Sequence, residues 1–262
     1  MVSVQGGALP AGSGLAGQTV ASFQIGKYEV TWGEWKTVRD WAVANGYYDL
    51  ANKGQGSAGN YPVYFVSWYD AVKWCNAKSE KEGVVPVYQI RGSIYKVGQE
   101  TALTVNNAAN GYRLPKEAEW EWAARGGVLG NGYTYSGSND VNAVAWTCEN
   151  SYGSGFSIFL GYGIWPIALK GANELGIYDM SGNVLEWCED LEDLAYGNNR
   201  RLRGGCWFFD AGLATVANRD YSSLNSNYNT LGFRLARNAP SYTGIVTTHA
   251  GTGAFGGLNG NN

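Results

Sequence analysis

The chain has 262 residues, 45% hydrophobic and 14% aromatic, with 16% charged side chains and a formal charge of −3. With a pI near 5.3 and its Lys and Arg scattered, it offers no basic field for a polyanion, so nucleic acid is excluded as an expected partner. No apolar run approaches the roughly 18 residues that cross a bilayer, and the opening MVSVQGGALPAGSG lacks a basic stretch followed by an apolar one, so no direct membrane span is expected.

That opening, with Ser3, Gly6 and Gly7, reads as a flexible N-terminal segment over residues 1–27. It would suit a tether in an exported or cell-surface parent, lipid anchoring being one route. The first regular element comes at YEVTWGEWKTVRDWAVANG. Thr31 followed three residues later by Glu34 is a capping box, Trp32, Trp35 and Val38 recur on one helical face, and Gly46 supplies the stop. A second helix starts at Ser67, has Asp70 in its first turn and Ala71, Val72 and Cys75 inward, and ends at Gly83.

Residues 84–110 alternate apolar and polar, with Gly92 and Ser93 between the runs, which predicts a hairpin read as a surface insertion. A third helix is expected after Pro115, with Glu117 and Glu119 in its first turn and Gly126 and Gly127 as its stop. Loops and short strands follow, and residues 241–262 form a Gly-rich tail. With 38 Gly, 11 Trp and 18 Tyr, the chain has aromatic area for one large core and many positions where backbone must turn.

Chemistry is constrained by what is scarce. His249 is the single histidine and lies in the tail, which argues against Ser-His-Asp and Cys-His catalysis and against sites built on several histidines. Cys75, Cys148, Cys188 and Cys206 form no CxxC pair and no close framework, and read as buried thiols. The stretch GGCWFFDAGLATVANRDYSSLNSNYNTLGFRL, residues 204–235, is different in kind: ordered-looking ends enclose a middle without any usable period.

Four phrases in order, NGYRLPKEAEWEWAARGG, NELGIYDMSGNVLEW, RRLRGG and LGFRLAR, resemble the formylglycine-generating enzyme (sulfatase-modifying factor) family over residues 28–237. The resemblance implies an α+β, irregular and loop-rich C-type lectin fold of the formylglycine-generating enzyme subtype. It places the domain at residues 28–240, with a variable region at about 206–231. In catalytic members a copper-binding cysteine pair lies between the Gly-Gly and the Ala-x-Arg matching Gly204, Gly205 and Ala217 to Arg219. The aligned positions fall near Phe209 and Ala211, no cysteine follows Cys206, and Leu235 stands where the catalytic ending carries Cys. No catalytic residue, cofactor or metal is therefore assigned. The alternative, an oxidase acting on a cysteine of a sulfatase, lacks its chemical groups. Some relatives bind calcium near SGNVLEW, where Asn183 and Glu186 could supply oxygens; equally, Asn183 could satisfy a turn while Glu186 pairs with an Arg such as Arg203.

One branch fits the frame better: the variable proteins of diversity-generating retroelements, of the treponemal kind. Their pattern, RGGSW, a diversified run, ANR, a second run, then GFRLA, resembles Arg203 to Trp207, Ala217 to Arg219 and Gly232 to Ala236 here, with Cys206 in place of Ser. Exchanging the adenines of an AAC codon reaches Phe, Tyr, Asp, Asn, Ser, Gly, Leu, Thr and Ala but not Lys, Gln, Glu, Met or Trp. None of those five occurs from Phe208 to Leu231, and an AGC codon can become a Cys codon the same way. The implied function is display of an adaptable binding surface toward a protein or carbohydrate ligand. Phe208, Phe209, Tyr221 and Tyr228 would be anchors, and Asp210, Asp220, Ser222, Ser223, Asn225 and Asn227 polar contacts, with Cys206, Gly212, Leu213, Ser226, Asn229 and Thr230 completing the surface. Trp207, Arg219, Phe233 and Arg234 are read as its support. The plain alternative is an ordinary solvated loop with two core phenylalanines.

Overall fold

Thr31 and Ser67 do begin the two long helices. The computed structural model describes residues 1–153, 161–192 and 199–240. In chain order the strands are β1 (Val2–Val4), β2 (Gly7–Ala8), β3 (Thr19–Val20), β4 (Phe23–Ile25), β5 (Tyr88–Ile90), β6 (Ser93–Ile94) and β7 (Thr104–Val105). They continue with β8 (Leu185–Leu191), β9 (Asn199–Arg203), β10 (Asp220–Ser223), β11 (Leu231–Gly232) and β12 (Ala236–Asn238). The helices are α1 (Trp32–Ala44), α2 (Trp68–Lys81), α3 (Glu117–Ala124) and the single turn α4 (Val141–Val144), with the rest mostly loop.

At α1 the Thr31 side chain accepts from the Glu34 N–H, but Glu34 does not close the box; its carboxylate lies 3.0 Å from Lys78 Nζ on α2. At α2 the box is complete: Ser67 Oγ accepts from Asp70 N–H, and Asp70 Oδ2 accepts from Ser67 N–H. Gly83 and Gly126, both at positive φ, follow α2 and α3 where stops were expected.

Two expectations need correction. Residues 1–27 are not a flexible tether: β1 pairs with β4, which pairs with β12, and a Cβ on Gly7 would lie 2.3 Å from the Trp122 ring. The small residues are there to let backbone approach an indole. Nor is the β5–β6 hairpin a surface insertion. Asn76 of α2 donates to the carbonyls of Tyr88 and Tyr95, Tyr88 N–H donates back to Asn76 Oδ1, and both tyrosines are buried. Its turn is Arg91–Gly92, both at positive φ, so Ser93 already belongs to β6.

A four-stranded sheet in the order β10-β9-β8-β11 carries the irregular stretch; β8 to β10 run antiparallel and β11 joins β8 in parallel. On one side pack α1 and α2, where Trp35 and Trp74 stack at 5.6 Å and Phe233 meets both edge-on. A second cluster gathers Phe23, Ile25, Trp120 and Met180. Burying indoles of this size supplies most of the hydrophobic driving force.

Ion pairs tie these layers together. Arg234, fully buried, makes a bidentate pair with Glu186 at 2.5 and 2.6 Å, and Trp120 Nε1 donates to the same carboxylate. Glu186 therefore pairs with Arg234, and not with Arg203 as one sequence reading had it; Arg203 is held by Glu121. Glu29 and Asp179 lie beside this pair, giving three carboxylates around one guanidinium. Burial and the neighbouring carboxylates hold the Glu29 carboxyl well above its usual range. Burial likewise raises Asp179 from 3.8 to about 6, against the N–H of Ala168 and the charge of Arg234.

The folded state thus keeps a proton on Asp179 that the unfolded chain gives up. Its contribution to stability is full below pH 3.8 and is lost as pH rises through about 6. The Asp179→Asn variant should therefore gain on the parent by up to about 3 kcal/mol between pH 4 and pH 7. Urea unfolding of both at these pH values tests it; parallel pH profiles would refute the assignment.

Candidate functional site

The stretch leaves β9 through Gly204 and Gly205, at φ of 96° and 72°. A Cβ on Gly205 would sit 2.7 Å from the Leu213 carbonyl oxygen and 2.9 Å from Ala214 Cα, so only glycine lets residues 206–213 fold back so tightly. The middle is then pinned. Arg203 donates to the carbonyls of Val216, Ala217 and Asn218 and pairs with Glu121, while Arg219 makes a bidentate pair with Glu117 at 2.7 and 2.8 Å. Both carboxylates come from α3, so the Ala217–Arg219 segment is fastened to a helix rather than left as loop.

Beyond it β10 lies at the sheet edge, and residues 224–230 return across the start of α2 to β11. Trp68 N–H donates to the Leu224 carbonyl and Phe65 N–H to the Tyr228 carbonyl. Three strand spacings, about 14 Å, separate the two edges. Trp207 joins the two runs: it is 1% exposed, its Nε1 donates to the Asn229 carbonyl, and its ring meets Phe208 at 5.4 Å. Of the support residues, Trp207, Phe233 and Arg234 are buried and Arg219 is half-buried.

Of the anchors, Phe208, Tyr221 and Tyr228 are 53%, 50% and 58% exposed, and Leu213 is also exposed. Asp210, Gly212, Ser223, Asn225 and Asn227 are exposed, and Asp220, Ser222, Ser226, Asn229 and Thr230 half-buried. On β10 the alternation is strict, with Tyr221 and Ser223 outward and Asp220 and Ser222 less accessible. Phe209 is partly buried against the main core. Cys206 is a correction: it is fully buried in that core and cannot form part of a contact surface.

Sequence reasoning missed the floor under the first run. Cys148 N–H donates to the Phe209 carbonyl, Ala211 N–H to Glu149 Oε1, and Ser151 Oγ to the Trp207 carbonyl. Trp146 and Trp165 stack at 4.2 Å beside it, with Lys170 Nζ 4.0 Å from the Trp146 ring. Partial burial pushes the Glu149 carboxyl up, but donation from Thr147 and Ala211 wins and holds it below the usual range. No short motif marks these residues; the density of tryptophan was their one signal.

The copper chemistry of catalytic relatives does not fit this site. Phe209 and Ala211 hold no metal-binding group, and burial raises the Cys206 thiol to about 12 and pushes Cys148 up as well, so neither offers a thiolate near neutrality. Among the described residues no group of three His, Cys, Asp or Glu is placed to hold a metal ion. Asn183, at φ 64°, donates from Nδ2 to Glu29 and accepts from Trp165 N–H, which is the turn role. Among the described residues no helix is long and apolar enough to cross a membrane.

A mixed, loop-rich scaffold of C-type lectin kind, carrying an exposed irregular stretch on a pinned frame, is the class these features define. The chain belongs to the formylglycine-generating enzyme (FGE-sulfatase) family, whose sulfatase-modifying factor enzyme 1-like domain matches residues 1–239. The match includes the first 27 residues, in keeping with their place in the β1-β4-β12 sheet. The chain is 36% identical over 242 residues to chaperone protein LppX of Paenibacillus barcinonensis, covering 83% of this chain and 81% of that protein. It is 30% identical over 187 residues to inactive Cα-formylglycine-generating enzyme 2 of Bos taurus, covering 68% of this chain and about half, 51%, of the relative. Treponema denticola variable protein 1 matches with a TM-score of 0.69 and 29% identity, over 90% of this chain and 95% of that one. The crystal structure of CarF matches with a TM-score of 0.76 and 30% identity, over 91% and 97%.

Proposed function

We propose that this protein is a non-catalytic display protein that binds a protein or carbohydrate ligand, its recognition surface diversified by a retroelement at Phe208 to Leu213 and Asp220 to Thr230. The observation that carries this reading is a contrast: Phe208, Leu213, Tyr221 and Tyr228 stand exposed while the residues framing them, Trp207, Arg203, Phe233 and Arg234, are buried and bonded. Side chains that contribute little to the core can be exchanged with little loss of fold. Rigid aromatic rings among Ser, Asn and Gly suit adaptable recognition. The likeness to Treponema denticola variable protein 1 supports it, as does kinship with a relative named inactive. Catalytic relatives of the family, such as the formylglycine-generating enzyme of Streptomyces coelicolor, define the competing activity. A surface-exposed, exported parent follows from the same reading, since display serves contact outside the cell.

Exchanging Phe208, Asp210, Tyr221 and Tyr228 together for Ser, Asn and Thr should change which ligands bind on glycan and protein arrays. Each exchange should move stability by no more than about 0.5 kcal/mol. Phe209→Ser, in contrast, should cost about 1–3 kcal/mol, because its ring is partly in the core. Global unfolding of the four-site variant, or turnover of a Cys-containing sulfatase peptide by copper-loaded protein, would overturn the proposal.

A further inference from the structure

Where β8 ends and β9 begins, the protein encloses charged groups that neither the core nor the irregular stretch uses. Glu189, Asp190, Lys116 and Arg200 line a cavity of about 310 Å3 together with Trp68, Leu103 and Val105. The Arg200 guanidinium lies 4.1 Å from the Trp68 ring centroid, so its plane is held by stacking as well as by its strand. Its Nη1 donates to the Glu189 carbonyl at 2.5 Å, its Nε is buried without a partner, and no carboxylate among the described residues lies within ion-pair distance. Burial accordingly pulls the guanidinium below its ordinary range. Arg200 is half-buried and stacked without a hydrogen-bonded counter-charge, and partly desolvating a charge in that way is expensive.

The carboxylates on the other side are also under-bonded. Glu189 accepts from the Tyr88 hydroxyl only at 3.3 Å, and burial raises its carboxyl despite Arg113 and Lys116 nearby. Asp190 Oδ2 accepts from Glu117 N–H at 2.5 Å, and burial raises it too. Two cations, Arg200 and the exposed Lys116, and two anions thus share a cavity, with no ion pair among them. A guest carrying both a carboxylate and an ammonium would satisfy both sides at once. Leu103 and Val105 leave an apolar wall for the remainder of such a guest, and the volume lies at the small end of ligand pockets, right for a single amino acid.

We propose that this cavity binds a free aliphatic α-amino acid, its carboxylate on the unused donors of Arg200, its ammonium against Glu189 and Asp190, and its side chain on Leu103 and Val105. The site adjoins β10, where Ser222 lies opposite Arg200, but its argument does not depend on the display reading. Titration calorimetry of the full chain with L-leucine tests it, beside 4-methylpentanoate, which lacks the ammonium, and 3-methylbutylamine, which lacks the carboxylate.

Leucine should bind with a Kd of about 1 mM or tighter, and each analogue at least about ten-fold more weakly. Arg200→Lys should weaken leucine binding about ten-fold or more, because an ammonium cannot reproduce the planar fork. Glu189→Gln should weaken leucine while leaving 4-methylpentanoate unchanged, a readout that survives if the arginine variant misfolds. No saturation by about 10 mM leucine, equal binding of either analogue, or an unchanged Kd in Glu189→Gln would overturn the proposal.

Discussion

The Arg234→Met variant is expected to lose about 3–5 kcal/mol of folding stability, the largest effect of any single substitution considered for this fold. Methionine fills much of the volume, so the loss is not chiefly a cavity. Removing the guanidinium strips Glu186 of its bidentate partner and the carbonyls of Gly26, Tyr178 and Asp179 of their donor. It also leaves Glu29, Asp179 and Glu186 in one buried site with no cation among them. The penalty must therefore be greater at pH 7 than at pH 4.5, where Asp179 holds its proton. Urea unfolding of the variant and of Arg234→Met/Glu186→Gln decides the matter. The double variant should recover part of the loss, since it removes the stranded charge; a single-variant loss below about 1 kcal/mol would contradict the assignment.

Gly205→Ala should destabilise by about 2–4 kcal/mol and abolish ligand binding with it. Its φ of 72° already disfavours any L side chain, and the new methyl would press on the backbone of Leu213 and Ala214, which cannot swing aside as a side-chain tip can. The loop from Cys206 to Leu213 would have to unseat, taking Phe208 and the bond from Trp207 to Asn229 with it. Gly212→Ala, in the same loop, supplies the control. Its Cβ would meet only Asp210 Oδ1, at 3.1 Å, and the position is exposed, so stability should stay within about 0.5 kcal/mol. Thermal or urea melts of the two proteins side by side check the contrast. Equal stability would mean that the Gly-Gly exit does not hold the loop.

What could be read from the amino acids was whatever is decided locally. Thr31, Ser67 and Asp70 announce helix starts because a side-chain oxygen satisfies an N–H within three residues, and Gly83 and Gly126 announce stops because they accept positive φ. The ends of the irregular stretch were legible through their order and spacing, and so was the exposure of Phe208, Tyr221 and Tyr228, but not the partial burial of Phe209. Strands of two or three residues have no period to detect, so the pairing of β1, β4 and β12 was invisible, and an N-terminal strand passed for a tether.

Partner choice among buried charges was equally hidden. Glu186 was matched to an Arg such as Arg203, whereas the parallel pairing of β8 with β11, which brings the LGFRLAR phrase alongside, gives it Arg234. Cys206 was misplaced for a related reason. A codon argument says which residue can occur at a position, whereas burial depends on the loop folding back over it, and that fold-back is set by Gly205.

The three-stranded sheet at the base has a bearing on how the molecule is made. β4 is synthesised within the first 25 residues, yet one of its two neighbours is β12, from residue 236 onward. Until the ribosome has passed that point β4 has a free edge, and closure must wait for the whole of residues 206–231 to emerge. The fold is therefore completed by one final zipping event. A substitution that prevents Trp207 from seating would leave β4 open to strands of other nascent chains.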